Sequence, residues 1–439
     1  MPITFVDLFS GIGGFHAVGQ ALGWSAVYAC DIDVHTQDIY EKNWGIRPNS
    51  DIKDDANDDG VSIPKHDILF AGFPCQPFSK SGKQFGMEEV RGTLFWNIAK
   101  TIEHRRPSIV LLENVPNLAG TRHREDWESI IRTLRSLGYR VSSEPLIVSP
   151  HTIPRNFGGR PQIRKRIYIP ATYVPKKDRS KFPLDPPQVP WTKFDWNPER
   201  WDLIQDIKLE RNNSRVLSKL QLSKSEKIWI DAWDKFLKIM LRKRSGKRLP
   251  GFPLWADVWL GNIKTKKSDP KWKKDFIEKN REFYKEHRDE IDVWLRKHSN
   301  LREFPPSRRK FEWQAGDNAS IYECLIQLRP SGIRVKKVNY VPALVAITQT
   351  TIVGPLGRRL SVRELSQLQG LPPWFSFGKQ SDAQSYKQLG NGISIGCAYH
   401  VLRTLAQRDR ELLLKTCPEI LKSIEKSGSN PDLRLQTRH

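Results

Sequence analysis

The sequence contains few cysteines and no long apolar run. Its 439 residues include five cysteines, and none has the close spacing of a disulfide framework or of a zinc site. The best apolar stretch, residues 340–347, is interrupted by a proline and is too short to cross a bilayer. The first seven residues lack a basic segment and include an acid, so they predict no secretory signal. These absences predict a cytoplasmic protein with no membrane segment and no metal site.

Positive charge, in contrast, is abundant and unevenly distributed. The chain has 72 Lys and Arg against 49 Asp and Glu, a formal net charge of +23. Residues 171–310 contain 35 basic and 20 acidic side chains, and nine of the 15 tryptophans. Such a field attracts polyanions. The tryptophans fall at helical spacing, which predicts core positions rather than stacking platforms for bases.

The first 172 residues alternate between predicted strands and helices. Short apolar runs typical of strands buried on both faces occur at 67–71 and 109–112. This alternation predicts an α/β fold with a mostly parallel sheet. The pattern changes after about residue 172: a proline-rich stretch is followed by a capping box at Ser223 and a predicted helix over 276–297. Residues 427–439 are predicted to be disordered.

A glycine-rich turn follows the first predicted strand. Residues 7–14 read Asp-Leu-Phe-Ser-Gly-Ile-Gly-Gly, and such a turn lets a ligand approach the backbone closely, although glycine turns also occur without ligands. The second predicted strand ends at Asp31, where the acid of a Rossmann-like sheet binds ribose hydroxyls. The alternative role is to cap the next helix, for which Asp33 is the better candidate.

Three further motifs contain groups that can do chemistry. Cys75 lies between Pro74 and Pro77 just beyond a predicted strand, although a lone cysteine is more often a small buried hydrophobe. Glu113 follows the neighbouring strand, where partial burial would raise its pKa and suit it to proton donation; a loop acid is the alternative.

The third motif is Gln162-Ile-Arg-Lys-Arg166. If it is extended, Gln162, Arg164 and Arg166 share one face; a solvated basic edge strand is the alternative. Residues 390–392 form a predicted Gly-Asn-Gly turn, which could also be an ordinary helix entry.

Taken together and in this order, the motifs resemble the DNA (cytosine-5) methyltransferase family of the bacterial restriction–modification type. The matching blocks lie at 7–15, 72–79, 113–115, 162–166, 358–370 and 388–395. The sequence departs from the usual pattern at Asp31, where Glu is more usual, and at Gly392, where Ser is common.

The resemblance implies a Rossmann-like, S-adenosylmethionine-dependent methyltransferase sheet with a separate, inserted target-recognition domain. The expected boundaries are 1–172 for the catalytic and cofactor-binding domain, 173–384 for the target-recognition domain and hinge, and 385–426 for the return to the catalytic domain. Double-stranded DNA is the implied partner, bound by a monomer. A cognate restriction endonuclease is the expected genetic partner.

The resemblance also implies a mechanism. The Cys75 thiolate would add to C6 of a flipped cytosine, Glu113 would protonate the ring at N3, and Arg166 with Arg164 would hold the base and orient Glu113. The positions matching the family's S-adenosylmethionine contacts are Phe9, Gly11, Gly13, Asp31, Ile32, Asp51, Ile52, Pro74 and Asn391.

Three alternatives remain at this point. An RNA cytosine-5 methyltransferase would use the same nucleophile, but the long basic middle segment favours duplex DNA. A non-catalytic DNA-binding relative would not need Cys75, Glu113 and both arginines. An amino-directed methyltransferase would require an Asp/Asn-Pro-Pro-Tyr-like site, and no such site precedes residue 170.

Overall fold

The computed structural model describes residues 2–74, 93–191, 194, 196–211, 214–245, 248–263, 265–344 and 350–437. The chain divides into two compact units. The first unit comprises Met1–Trp201, Pro342–Ile347 and Leu365–His439, and the second comprises Asp202–Val341 and Thr348–Glu364. In the described part of the chain, no helix is both long and apolar enough to cross a bilayer.

The first unit is built on a seven-stranded sheet. Its strands are β1 (Thr4–Leu8), β2 (Ser25–Cys30), β3 (Ile68–Gly72), β4 (Ile109–Asn114), β5 (Tyr139–Arg140), β6 (Leu146–Val148) and β7 (Arg166–Tyr173). The order is β2-β1-β3-β4-β7-β5, with β6 also paired to β7. Strands β1 to β4 are parallel, and β7 runs antiparallel to β4. The predicted α/β class with a mostly parallel sheet is confirmed.

Helices connect the parallel strands. They are α1 (Gly14–Ala21), α2 (Val34–Trp44), α3 (Leu94–Arg105) and α4 (Arg124–Ser136), with a short helix at Ile52–Asp55. Asp33 caps α2 by accepting a hydrogen bond from the Thr36 N–H, as predicted. Gly138, which follows α4, has a φ of 94°, a conformation that glycine adopts without a steric penalty.

The second unit has its own sheet and core. The strands are β8 (Leu254–Trp255), β9 (Lys310–Gln314), β10 (Leu325–Arg329), β11 (Gly332–Lys336), β12 (Ile352–Val353) and β13 (Arg358–Arg359), in the order β8-β9-β11-β10-β12-β13. The longer helices are α5 (Lys224–Lys243), α6 (Lys271–Glu286) and α7 (Arg288–Lys297); shorter ones occupy Leu203–Asp206, Ser214–Lys219 and Ala256–Trp259. The predicted capping box between Ser223 and Glu226 is present.

Aromatic side chains fill the core of this unit. Trp233, Phe236 and Trp294 are fully buried, which confirms that these tryptophans are core residues, whereas Trp272 is largely exposed. The single helix predicted over 276–297 is wrong. The helix breaks at His287, where the backbone leaves the helical conformation. The buried His287 ring packs on Phe283 and accepts a hydrogen bond from Arg244.

The chain then returns to the first unit. Val362–Gln369 is helical and is followed by α8 (Asp382–Asn391), α9 (Ile395–Arg408), α10 (Arg410–Thr416) and α11 (Pro418–Lys426). The compact units change at 201/202, 341/342, 347/348 and 364/365. The expected domain boundaries at 172/173 and 384/385 stay predictions.

The expectation of a disordered tail does not hold for the described residues 427–437. They include a 3-10 helix, Pro431–Arg434, and Leu435 is buried. Asp432 accepts a hydrogen bond from Arg160, and the Leu435 carbonyl accepts one from the Trp374 indole. The polar composition of the tail does not indicate these two hydrogen bonds, because both partners are distant in sequence.

Candidate active site

A cavity of about 690 Å³ opens at the carboxyl ends of the parallel strands in the first unit. Segments that follow β1, β2, β3 and β4 all line it, together with the start of β7 and residues 387–391. In a parallel α/β sheet, the carboxyl ends of the strands form the usual ligand crevice. The described residues predicted for cofactor binding all line the cavity except Gly13.

The turn after β1 is held in an unusual backbone conformation. Phe9 has a φ of 56°, which is rare for a residue with a bulky side chain. Gly11 has a φ of 53°, and an ideal Cβ at this position would meet no atom within 4 Å. The backbone at Gly11 is therefore open toward the cavity.

The position of Gly13 differs from the expectation. Gly13 caps α1 with a φ of 86°, and an ideal Cβ here would lie 2.0 Å from the Trp44 Nε1. The Trp44 indole also donates a hydrogen bond of 3.0 Å to the Ile12 carbonyl. The packing of Trp44 against the turn is thus sufficient to require a glycine here. The role of Gly13 in cofactor binding stays a prediction.

Asp31 connects the turn after β1 to the turn after β2. Its Oδ2 accepts a hydrogen bond of 2.8 Å from the Gly11 N–H, and its Oδ1 accepts one of 3.0 Å from the Asp33 N–H. Burial raises the pKa of Asp31, although both backbone donors oppose this shift. The remaining lone pairs of this carboxylate can accept further hydrogen bonds at the cavity wall.

Two neighbouring segments contribute an apolar and a polar wall. Ile32 is 74% exposed although it is a large hydrophobic residue, and it lines the cavity. Asp51 caps the short helix by accepting from the Lys53 N–H, and buried Ile52 lies beside it. An exposed isoleucine beside a cavity offers a flat apolar surface to a ligand.

A buried polar network lies behind the glycine turn. Asp7 is fully buried, and its Oδ1 has no hydrogen-bond partner among the described residues. The Tyr40 hydroxyl lies 3.4 Å from Asp7 Oδ2 and 2.8 Å from His16 Nδ1. Burial raises the pKa of Asp7 well above its usual range and lowers that of His16 to about 3. No motif in the sequence predicted that these three residues would meet.

Glu113 and Arg166 form the polar end of the cavity. Glu113 is the last residue but one of β4, and Arg166 begins the antiparallel β7. The two chain directions bring both side chains to the same edge of the sheet. Arg166 Nε lies 3.0 Å from Glu113 Oε1. Glu113 is 8% exposed, and its burial raises the pKa of the carboxyl although Arg166 and Arg164 oppose this shift.

Arg164 differs from the expectation because it does not line the cavity. Its Nη2 donates a hydrogen bond of 3.0 Å to the Gly390 carbonyl and a second one to the Gly392 carbonyl. The side chain is 1% exposed. Residues 162–166 are not one extended strand, because residues 164 and 165 separate the strand Gln162–Ile163 from β7. The predicted shared face therefore does not form, and the two arginines have different partners.

Asn391 lies between the two glycines that Arg164 holds. It is exposed at the end of α8 and lines the cavity, as do Gln388 and Lys387. Pro74 lines the cavity from the end of β3. Cys75, the predicted nucleophile, lies outside the described residues.

The other four cysteines are buried thiols. Burial raises the pKa of Cys30, Cys324 and Cys397 to about 12, and it also raises that of Cys417. A thiol with so high a pKa is a poor nucleophile near neutral pH. Their interpretation as small hydrophobic residues is confirmed.

Comparison with known proteins identifies the family. The chain matches the family described as C-5 cytosine-specific DNA methylase over residues 3–407. The chain belongs to this family. It is therefore a DNA (cytosine-5)-methyltransferase, as the ordered motifs predicted.

Two type II methyltransferases are similar to this methyltransferase in sequence. It is 42% identical to the type II methyltransferase M.AluI of Cellulosimicrobium cellulans over 94% of each chain. It is 40% identical to the type II methyltransferase M.HhaI of Haemophilus parahaemolyticus over 38% of this chain and 48% of that protein. Among solved structures, the S. pombe Dnmt2 methyltransferase aligns with 94% of this chain and 98% of its own, at 16% identity and a TM-score of 0.46.

Proposed function

We propose that this methyltransferase transfers a methyl group from S-adenosylmethionine to C5 of a cytosine flipped out of duplex DNA, through a covalent bond between Cys75 Sγ and C6. The observation that supports this most strongly is the shared cavity, which is lined both by Glu113 and Arg166 and by the Gly11 turn and Asp31. A proton donor and candidate cofactor-binding residues thus face the same cavity.

The residues of the cavity fit S-adenosylmethionine. The open backbone at Gly11 admits the amino-acid end, and Asp31 is available to the ribose hydroxyls. Phe9 and the exposed Ile32 offer apolar surface to the adenine, and Asp51 with Ile52 borders its polar edge. Asn391 and Pro74 complete the wall. When bound, S-adenosylmethionine supplies an electrophilic methyl group.

The chain's own residues activate the base. Addition of the Cys75 thiolate to C6 makes the ring electron-rich, and negative charge develops toward N3. Glu113, whose pKa is raised by burial, donates a proton there. Arg166 keeps Glu113 oriented and presents its guanidinium to the base. After methyl transfer, loss of the C5 proton and elimination of the thiolate release the product.

We assign Arg164 a positioning role rather than contact with the base. Its hydrogen bonds to Gly390 and Gly392 hold the turn that presents Asn391 to the cavity. Through this turn, Arg164 acts on the cofactor wall.

Trapping with 5-fluorocytosine tests the covalent mechanism. Fluorine at C5 cannot leave as a cation once C5 has been methylated. A duplex with 5-fluorocytosine at the recognised position, mixed with the enzyme and S-adenosylmethionine, should therefore give a complex that survives denaturing electrophoresis. Cys75→Ser should form no complex, because a serine hydroxyl without an adjacent base is scarcely ionised near neutral pH. Attachment at any other cysteine would refute the assignment of Cys75.

We further propose that the second unit selects the DNA sequence, because the positive charge of the chain is concentrated around it. Grafting residues 202–364 onto a related catalytic unit should transfer the methylated sequence. An unchanged methylation pattern would contradict the proposal.

Because the relatives named above are type II methyltransferases, we also propose that this enzyme protects host DNA within a restriction–modification system. Mapping of methylated cytosines in an expressing host identifies the protected site.

A further inference from the structure

A second cavity lies within the second unit, in addition to the cavity described above. It has a volume of about 340 Å³, and the side chains that matter for its chemistry are Trp255, Asp257, Asn262, Arg309 and Lys310. They come from the edge strand β8, the segment after it and the start of β9. The proposed mechanism uses none of them.

A buried carboxylate organises three of these side chains. Asp257 Oδ1 accepts hydrogen bonds from Arg309 Nη1 at 3.0 Å and from Asn262 Nδ2 at 3.3 Å, and its Oδ2 accepts one from the Trp255 indole at 3.2 Å. Asp257 is itself 6% exposed. The arrangement is therefore fixed from within before any ligand arrives.

Lys310 supplies a second cationic group near the Asp257 carboxylate. Trp255 and Lys310 are cross-strand neighbours, and Lys310 Nζ lies 3.9 Å from the centre of the Trp255 ring, which stacks on Phe276. Within the described residues, this ammonium makes no hydrogen bond and no ion pair. Burial lowers the pKa of Lys310, the Asp257 carboxylate opposes this shift, and Lys273 adds to it. With Arg309 and Lys310 near a single carboxylate, the cavity keeps an excess of positive charge.

The remaining hydrogen-bonding capacity of the cavity consists mainly of donors. Both Asp257 oxygens already accept hydrogen bonds. Arg309 Nη1 donates one hydrogen to Asp257 and Nη2 donates one to the Arg302 carbonyl, so each nitrogen has a second hydrogen left to donate. Asn262 and Lys310 add further donors. A nucleobase presents both donors and acceptors, but a phosphodiester presents acceptors and a negative charge. The chemistry therefore favours a phosphate.

We propose that the cavity formed by Trp255, Asn262, Arg309 and Lys310 binds a backbone phosphate of the DNA substrate. This inference rests on the proposed role of the second unit in DNA recognition. A phosphate contact fixes the register of a protein on the duplex without reading its sequence. The site would thus position the second unit on DNA while other residues read the bases.

Salt-dependent binding of the full chain tests this assignment. The probe is a fluorescein-labelled duplex that contains the methylated sequence mapped in the host. Lys310→Met retains the apolar stem over Trp255 and removes the charge, so the log–log slope of affinity against salt should fall by about 0.9, the value for one phosphate contact. Lys310→Arg should keep the wild-type slope. Lys285→Met removes an exposed lysine from the far end of α6 and should leave the slope unchanged.

Substitution of single phosphates locates the contact. One neutral methylphosphonate linkage should weaken binding of the wild-type enzyme and have no further effect on Lys310→Met. If Lys310→Met has the same slope as Lys285→Met, the proposal is refuted. It is also refuted if the variant changes the methylated sequence with an unaltered slope, because the contact would then be with a base. Failure of the proposed function would differ, because the wild-type enzyme itself would then give no 5-fluorocytosine complex.

Discussion

Replacement of Arg164 by methionine distinguishes a role at the cofactor wall from a role at the base. Methionine approximates the length of the apolar stem but cannot donate to the Gly390 and Gly392 carbonyls. Hydrogen bonds from a charged donor contribute about 1.5–3 kcal/mol each. Part of this is offset because the variant no longer buries a guanidinium.

We therefore expect the Gly390–Gly392 turn to be destabilised by about 1.5–3 kcal/mol, which corresponds to a 10- to 100-fold loss of S-adenosylmethionine affinity. Calorimetry measures this affinity, and single-turnover methylation at saturating cofactor measures the chemical step. The chemical step should remain close to the wild-type rate, because the contact between Arg166 Nε and Glu113 Oε1 is retained.

Arg160→Met is the matched control. Arg160 also donates to a backbone carbonyl, that of Gln367, and to Asp432, but it does not touch the Gly390–Gly392 turn. This variant should lower the melting temperature without changing cofactor affinity. The reasoning would be wrong if Arg164→Met bound the cofactor normally and slowed the chemical step, since Arg164 would then act on the base.

Three other predictions follow from the same geometry. Gly13→Val should lower the melting temperature, because its Cβ would collide with the Trp44 indole. Gly11→Ala should cost only about 1 kcal/mol of backbone strain and should mainly weaken S-adenosylmethionine binding. Thermal unfolding measures the first effect and calorimetry the second. Asp31→Asn should weaken cofactor binding at least 10-fold by calorimetry, because a carboxamide has one acceptor oxygen while both Asp31 oxygens accept backbone N–H groups; unchanged affinity would contradict this. Burial raises the pKa of Glu113, so the chemical step should slow as the pH rises through that pKa and the carboxyl loses its proton. Glu113→Gln should be about 10²–10⁴-fold slower and should lack this decline at alkaline pH. If the pH–rate profile of the variant keeps the decline, another group is responsible for the decline.

The order of local motifs was readable from the sequence because each depends on neighbouring residues. The apolar runs that became β3 and β4, the Asp33 cap and the Ser223–Glu226 capping box all formed as predicted. Glu113 was also expected at the ligand crevice, because the end of a buried parallel strand projects there. These features need only hydrophobic periodicity and short-range hydrogen bonds.

Other features depended on partners distant in sequence. The spacing of Arg164 and Arg166 suggested a common face, but the strand break and the carbonyls of Gly390 and Gly392 separate their roles. Gly13 belongs to a ligand-binding motif, yet the atom nearest to its missing side chain belongs to Trp44. Neither partner is evident until the chain has folded.

By itself, the sequence determined the α/β class and the family, because these follow from periodicity and from an ordered set of motifs. Tertiary structure alone decided which donors meet which acceptors. It brought Glu113 beside Arg166, placed Arg164 behind Asn391, and organised Trp255, Asn262 and Arg309 around Asp257. The physical reason is that a buried polar group must find a hydrogen-bond partner, and the partner is chosen by packing between distant segments.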